Sequence, residues 1–233
     1  MIGIIAAMQA EVDALREEMT EVREQKRDNI CFWEGIIAQT PCVLMLSGVG
    51  KGHATLATTL LLKNYDVDAV WNIGTAGGLQ ESQQVLDLVI SEQIIQHDYD
   101  TSAIDGEEGI GLRFQADQHF IALCKSVCIE ANERFHCGLM LSGDQFISEP
   151  KQIMELKQRY PSAQCAEMEA GAVAQVCTHF HIPFVILRSL SDIALQDGNQ
   201  LDFNEYVHRA SKRSARLCVN LMKKQKESSR QNH

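Results

Sequence analysis

Short apolar runs bounded by glycine, proline or polar residues alternate along the chain with longer stretches of helical period. Such runs have the length and continuity of strands buried on both faces. They predict strands at 2–7, 30–38, 42–48, 68–74, 85–96, 137–143 and 183–190, and the helical period fits 9–19, 51–64, 116–133, 150–159, 167–180 and 203–224. In the helix from 51, Leu56, Leu60 and Lys63 step along one side while Leu61 and Leu62 widen an apolar face, as a core-facing helix requires. Strand and helix alternate except over 30–48, where strand follows strand. The expected class is therefore α/β, with a mixed rather than purely parallel sheet.

Two segments break the pattern. HDYDTSAIDGEEGIGL (97–112) combines three glycines with several acids and no apolar period, which predicts a surface loop that can serve as a lid. The polar stretch KKQKESSRQNH (223–233) has no apolar residue to hold it to a core, so a single domain over 1–222 followed by a frayed tail is expected.

Composition narrows the partners. With 21 Lys+Arg against 31 Asp+Glu and a formal net charge of -10, the 233-residue chain would repel phosphate backbones and anionic lipid, which argues against nucleic acid and membrane surfaces. The eight cysteines contain no CxxC, and Cys124 and Cys128, four apart in an apolar helical stretch, have no partner pair at zinc-like spacing. Reduced, buried thiols and a cytoplasmic location are expected. The start, MIGIIAAMQAE, lacks the basic region and cleavage site of a secretory signal, and its apolar run is too short to cross a bilayer.

Candidate chemistry sits at strand ends. SGVGKG (47–52) and NIGTAGGL (72–79) read as glycine-rich turns after strands, where backbone amides can approach a ligand. Neither is a dinucleotide fingerprint or a phosphate-binding P-loop, since His53 stands where a third glycine would be needed and Lys51 is followed by Gly52. Glu11 opens the first helix, where a carboxylate is common for dipole reasons alone. Glu167 and Glu169, two apart on the expected helix, would point about 200° away from each other, so at most one could face a given site. Asp192 closes a wholly apolar strand beside Arg188, Ser189 and Ser191, a cluster that packing does not explain. His179 and His181 have no acid motif nearby and read as solvated. Ser47, Ser142 and Ser189 lack the context of an activated serine. Phe146 reads as core or as a platform for a flat ring.

In order, IGIIAAMQAEV (2–12), SGVGKGHA (47–54), NIGTAGGL (72–79), SGDQFI (142–147), AEMEAGAVAQVC (166–177) and RSLSDIA (188–194) resemble the 5'-methylthioadenosine/S-adenosylhomocysteine nucleosidases. The resemblance spans nearly the whole chain. It implies the nucleoside phosphorylase-like fold, a single-domain three-layer α/β with a central mixed β-sheet flanked by helices, and a homodimer. It also implies Glu11 as general base on a water and Asp192 as the acid protonating adenine N7. Glu169 would bind the ribose hydroxyls, Met168 would line sugar and base, Phe146 would stack on adenine, and Ile147 would bond the base through its backbone. Thr75, Gly77 and Arg188 would border the water and ribose pocket, Met8, Val49 and Phe203 its apolar walls, and Ser191 and Ala194 would complete the substrate contacts. No metal or cofactor is implied.

The chemistry agrees with these types. Cleaving an N-glycosidic bond needs a protonated leaving base, a nucleophile from the opposite face and stabilisation of a cationic sugar. An aspartate with a reference pKa of about 3.9 must share a proton with the purine or be shifted by desolvation to act as the acid. A carboxylate accepting from a cis-diol makes charge-assisted hydrogen bonds. Where many relatives have Ser, Thr75 keeps the hydroxyl, whereas Thr101 and Ile104 depart from the usual apolar and aromatic types in the 97–112 segment. Three other readings stand beside this one: a phosphorylase of the same fold, an aminodeoxyfutalosine nucleosidase, and a nucleoside-binding protein without activity.

Overall fold

The buried apolar runs do form strands, and they assemble in the order β1 (Ile2–Ala6), α1 (Gln9–Arg16), β2 (Thr20–Arg27), β3 (Ile30–Ile37), β4 (Thr40–Leu46), α2 (Lys51–Asn64), β5 (Ala69–Gly78) and β6 (Leu88–Asp100). There follow α3 (Ser102–Asp105), a 3-10 turn (Gly106–Gly109), β7 (Ile110–Gln115), α4 (Gln118–Glu130), β8 (Phe135–Ser142), α5 (Pro150–Arg159), β9 (Ala163–Glu167), α6 (Ala170–His179), β10 (Phe184–Ile193) and α7 (Asn199–Gln231). The structure is a computed structural model that describes the backbone of residues 1–193 and 199–231 and the side chains of 1–193 and 206–227.

The sheet is mixed, as the strand-after-strand segment requires. β1 runs parallel between β4 and β5, β10 is parallel to β5 on its other side, and the β2–β3–β4 meander extends the far edge. Beyond β10 the sheet curls back: β10 pairs β6, β6 pairs β8, β8 pairs β9, and β9 returns to β5 at Gly77 and Gly78. Five strands thus close a ring. Apolar side chains fill both faces. Ile4, Trp71, Leu187 and Leu221 share one core, with α1, α4 and α7 on that face, and Ile5, Val70, Leu61 and Val173 share the other, with α2 and α6.

Several elements differ from the sequence expectation. β2 is nearly all exposed and strongly charged, so no apolar alternation marks it; it is an edge strand that pairs only with β3. The two hairpin turns beside it place Asp28 and Asn29, then Ala38 and Gln39, at positive φ (49° and 63°, 49° and 62°), the two-residue geometry that matches strand twist, without the Asn-Gly that usually announces it. The expected loop 97–112 shrinks to 101–109, because β6 continues to Asp100 and β7 returns antiparallel to it. NIGTAGG is likewise strand, not turn, through Gly78.

The apolar face of α2 is also turned. Ala54, Ala57, Thr58 and Leu61 are its buried residues, whereas Leu56 is 52% exposed. Leu61 lies so close over β1 that a Cβ at Gly3 would stand 2.8 Å from it, a spacing that explains small residues on the buried side. α7 runs on to Gln231, and Lys224 and Lys226 in its polar last part reach Glu130 and the Gln39 carbonyl at 2.5 and 2.7 Å.

Candidate active site

The ends of β1, β5, β9 and β10 and the loops after β4 and β8 converge on one pocket. Its lining includes Met8 and Glu11 after β1, Val49 after β4, Thr75–Gly77 on β5, Phe146 and Ile147 after β8, Glu167–Glu169 after β9, and Ser191 and Asp192 on β10. Register explains the meeting: parallel pairing sets Asp192 of β10 opposite Gly77 of β5. Between Leu190 and Asp192 the pairing slips by one residue, so Ser191 is a bulge, and two consecutive side chains of β10 both reach the pocket. The Ser191 hydroxyl donates to Asp192 Oδ1 at 2.8 Å, and Asp192 is 1% exposed.

Glu11 both caps α1 and faces the pocket. Its Oε2 accepts from the amides of Ala7 and Met8 at 2.9 and 3.1 Å, and its Oε1 accepts from the Thr75 amide at 3.0 Å. Burial raises its pKa above the ordinary carboxylate value, opposed by the Arg188 guanidinium and these three N–H donors. Backbone must come close for this to work. A Cβ at Gly74 would stand 2.8 Å from Glu11 Oε1, and one at Gly77 would stand 3.0 Å from Asp192 Oδ2, so both carboxylates lie against bare glycine backbone.

Glu167 and Glu169 require a correction. They were expected on one helix, on opposed faces, but Glu167 ends β9 and the helix starts only at Ala170, with Glu169 as its N-cap. Both line the pocket. Glu169 Oε1 accepts from the Gly50 amide at 2.8 Å, and its pKa is raised by burial and by the neighbouring Glu167 charge, against Arg188 and that amide. Arg188 does not line the pocket. It is 1% exposed behind it, donating to Glu167 at 2.6 Å and to the Asn72 side chain at 2.6 Å. Glu167, a candidate in the sequence, was not expected to share the pocket with Glu169, and Asn72 was missed, since it carried no signal within its apolar strand.

The loops are latched by charge. Lys51 Nζ meets Asp98 at 2.6 Å, the Lys51 amide donates to Asp144 at 2.7 Å, and the Asp144 amide donates to Asp98 at 2.9 Å. These bonds join the start of α2, the end of β6 and the loop that carries Phe146 and Ile147. Phe146 and Val49 are 44% and 47% exposed at the pocket. Ala194 and the side chain of Phe203 lie outside the described residues. His179 and His181 are exposed, as expected. All eight cysteines are free thiols, and burial pushes Cys177, for example, up to about 12. Among the described residues no helix is long and apolar enough to cross a membrane.

Comparison with known proteins gives a consistent result. The sequence pattern of the Phosphorylase superfamily matches residues 1–223. The chain is 37% identical over 227 residues to a 5'-methylthioadenosine/S-adenosylhomocysteine nucleosidase of Staphylococcus carnosus, covering 96% of this chain and 99% of that one. Its structure matches that of the enzyme of the same description from Neisseria meningitidis in complex with methylthio-immucillin-A, with a TM-score of 0.91, 32% identity and coverage of 95% and 98%. A futalosine hydrolase of Helicobacter pylori matches with a TM-score of 0.89, 29% identity and coverage of 95% and 96%.

Proposed function

This chain belongs to the Phosphorylase superfamily and, within it, to the 5'-methylthioadenosine/S-adenosylhomocysteine nucleosidases, and we propose on that footing that it hydrolyses the N-glycosidic bond of these two nucleosides, and of 5'-deoxyadenosine, to adenine and the 5'-substituted ribose. The carrying observation is the pair Glu11 and Asp192, both buried and both lining one pocket, each against glycine backbone of β5.

The reaction follows from the side chains. Glu11, with its raised pKa, is a stronger base than an ordinary glutamate and takes a proton from a water as its oxygen attacks C1'. Asp192 delivers a proton to adenine N7, the C1'–N9 bond breaks, and the base leaves neutral. Glu169 accepts from the ribose hydroxyls, and its charge, with that of Glu11, favours the cationic sugar of the transition state. Phe146 and Met168 hold the base and sugar, Ile147 bonds the base through its backbone, and Met8 and Val49 form apolar wall. Nothing in these steps calls for a metal or cofactor.

Water is favoured over phosphate as nucleophile by charge. Arg188 is the only fully buried cation among the described residues, and Glu167 and Asn72 already engage it, so a phosphate dianion beside Glu11 would meet repulsion without a free counter-charge. Exposed Leu56, Ile104 and Tyr99 support a homodimer that covers apolar surface, and the free thiols support a cytoplasmic location. A net charge of -10 disfavours nucleic acid as a partner. The likeness to a futalosine hydrolase favours aminodeoxyfutalosine as a second substrate to be assayed.

Incubating the protein with each nucleoside, with and without phosphate, tests the reading. Adenine release independent of phosphate is expected. Phosphate-dependent turnover with formation of a ribose 1-phosphate would overturn hydrolysis, and binding without turnover would leave a nucleoside-binding protein.

A further inference from the structure

One carboxylate at the pocket has no place in the steps above, yet it is the best-anchored of the group. Glu167 Oε2 accepts from Arg188 Nη2 at 2.6 Å and from the backbone amides of Glu169 and Ala170 at 3.0 and 2.8 Å, while Oε1 accepts from the Ala170 amide at 3.0 Å. A single side chain at the end of β9 therefore holds a guanidinium from β10 and the first amides of α6 together.

A merely structural ion pair does not need this place. The Glu167 residue is 8% exposed and lines the pocket with Glu169, and the first amide it binds is that of Glu169 itself. The Glu167 charge opposes ionisation of Glu169, and the Arg188 guanidinium offsets that repulsion. The other end of Arg188 is fixed by Asn72, whose side-chain amide in turn donates to the Ile5 carbonyl at 2.9 Å, so the charge has little freedom to move.

We propose that Glu167 is a positioning residue for ribose recognition: it sets the direction of the Glu169 carboxylate through the α6 N-terminus and shares with it the counter-charge of Arg188, which Asn72 holds from the other end. The inference rests on the reading of Glu169 as the ribose-binding group. The charged groups around Glu169 are Glu167 on β9, Arg188 and Asp192 on β10, and Glu11 on α1. Beyond the Gly50 amide stand Lys51 with Asp98 and Asp144, and His97 of β6 lies within electrostatic reach of Glu167.

Glu167→Gln keeps the shape and removes the charge. With its nearest like charge gone and Arg188 no longer shared, Glu169 should ionise at lower pH, which carboxyl 13C NMR of the ligand-free protein reads directly, with Glu169 assigned by loss of its signal in Glu169→Gln. A downward displacement of roughly one pH unit is expected. Glu167→Asp retains the charge but withdraws it, so the Glu169 midpoint should stay near the parent's while KM for 5'-methylthioadenosine rises about tenfold, the loss expected of about 1.4 kcal/mol. The 2'-deoxy analogue should be affected much less. An unmoved Glu169 midpoint in Glu167→Gln, or an unchanged KM or equal KM rises for both nucleosides in Glu167→Asp, would overturn the proposal. A parent protein that binds but does not cleave the nucleosides would instead count against the hydrolase reading, since the NMR titration is independent of turnover.

Discussion

The Thr75 amide donates to Glu11 Oε1 at 3.0 Å, tying the carboxylate that follows β1 to the end of β5 across 64 positions of sequence. With the Ala7 and Met8 amides on the other oxygen, Glu11 is held in one orientation and keeps a direction toward the pocket.

Because burial raises the Glu11 pKa, the acid limb of kcat/KM should lie above the ordinary carboxylate range: activity needs the ionised base and falls as pH drops through the raised value. Glu11→Gln should lower kcat by roughly 10³-fold, an effect within the range of general-base loss, while leaving nucleoside binding measurable by calorimetry. A variant within tenfold of the parent would remove Glu11 as the base.

Asp192→Asn should reduce adenine release by roughly 10²–10⁴-fold. A 5-methylthioribosyl derivative of p-nitrophenol, whose leaving group needs no proton, should be cleaved by the variant at a rate much closer to the parent's. Equal losses on both substrates, measured by adenine and nitrophenolate release, would contradict a role as acid.

Glu169→Gln should stabilise the ligand-free fold while weakening nucleoside binding. A carboxyl whose pKa is raised on folding adds stability that is complete below its unfolded-state pKa and lost as pH rises through the folded value, so buried Glu169, raised to about 8, costs stability at neutral and alkaline pH. Glutamine can still accept from the Gly50 amide. The melting temperature should rise by roughly 2–4 °C near pH 9, the effect of about 1 kcal/mol in a chain of this size, and show little gain near pH 4. A scan at the two pH values checks the sign.

Gln39→Gly in the β3–β4 turn relieves a non-glycine residue at φ 62° and leaves the carbonyl that accepts from Lys226. An increase in stability of about 0.5–1 kcal/mol is expected from urea denaturation, because the left-handed strain exceeds the added freedom of the unfolded chain. Activity should not change, since the turn is remote from the pocket lining.

What the chain determines locally is its alternation of elements. The buried runs of β1, β5 and β10 and the periods of α1 and α5 are visible because a strand enclosed by helices must be apolar throughout and a core-facing helix must be apolar on one side. Asp192 stands out as an acid closing such a run, whereas Glu11 and Glu169 became legible only through the resemblance of the segments that carry them. Tertiary structure decided the rest. β2 is a strand only because β3 offers it an edge, and Leu56 is exposed because α2 packs through its alanines. Ser191 and Asp192 share a pocket only because pairing with β5 inserts a bulge, and no period within β10 encodes that slip. Glu167 faces Glu169 because β9 runs to Glu167 and the helix is delayed to Ala170, where its first amides find the carboxylate that also holds Arg188. Apart from β2, whose partner strand follows within 16 positions, each of these depends on partners 20 or more positions away, and all depend on strand register and helix packing rather than on any local pattern of polar and apolar residues.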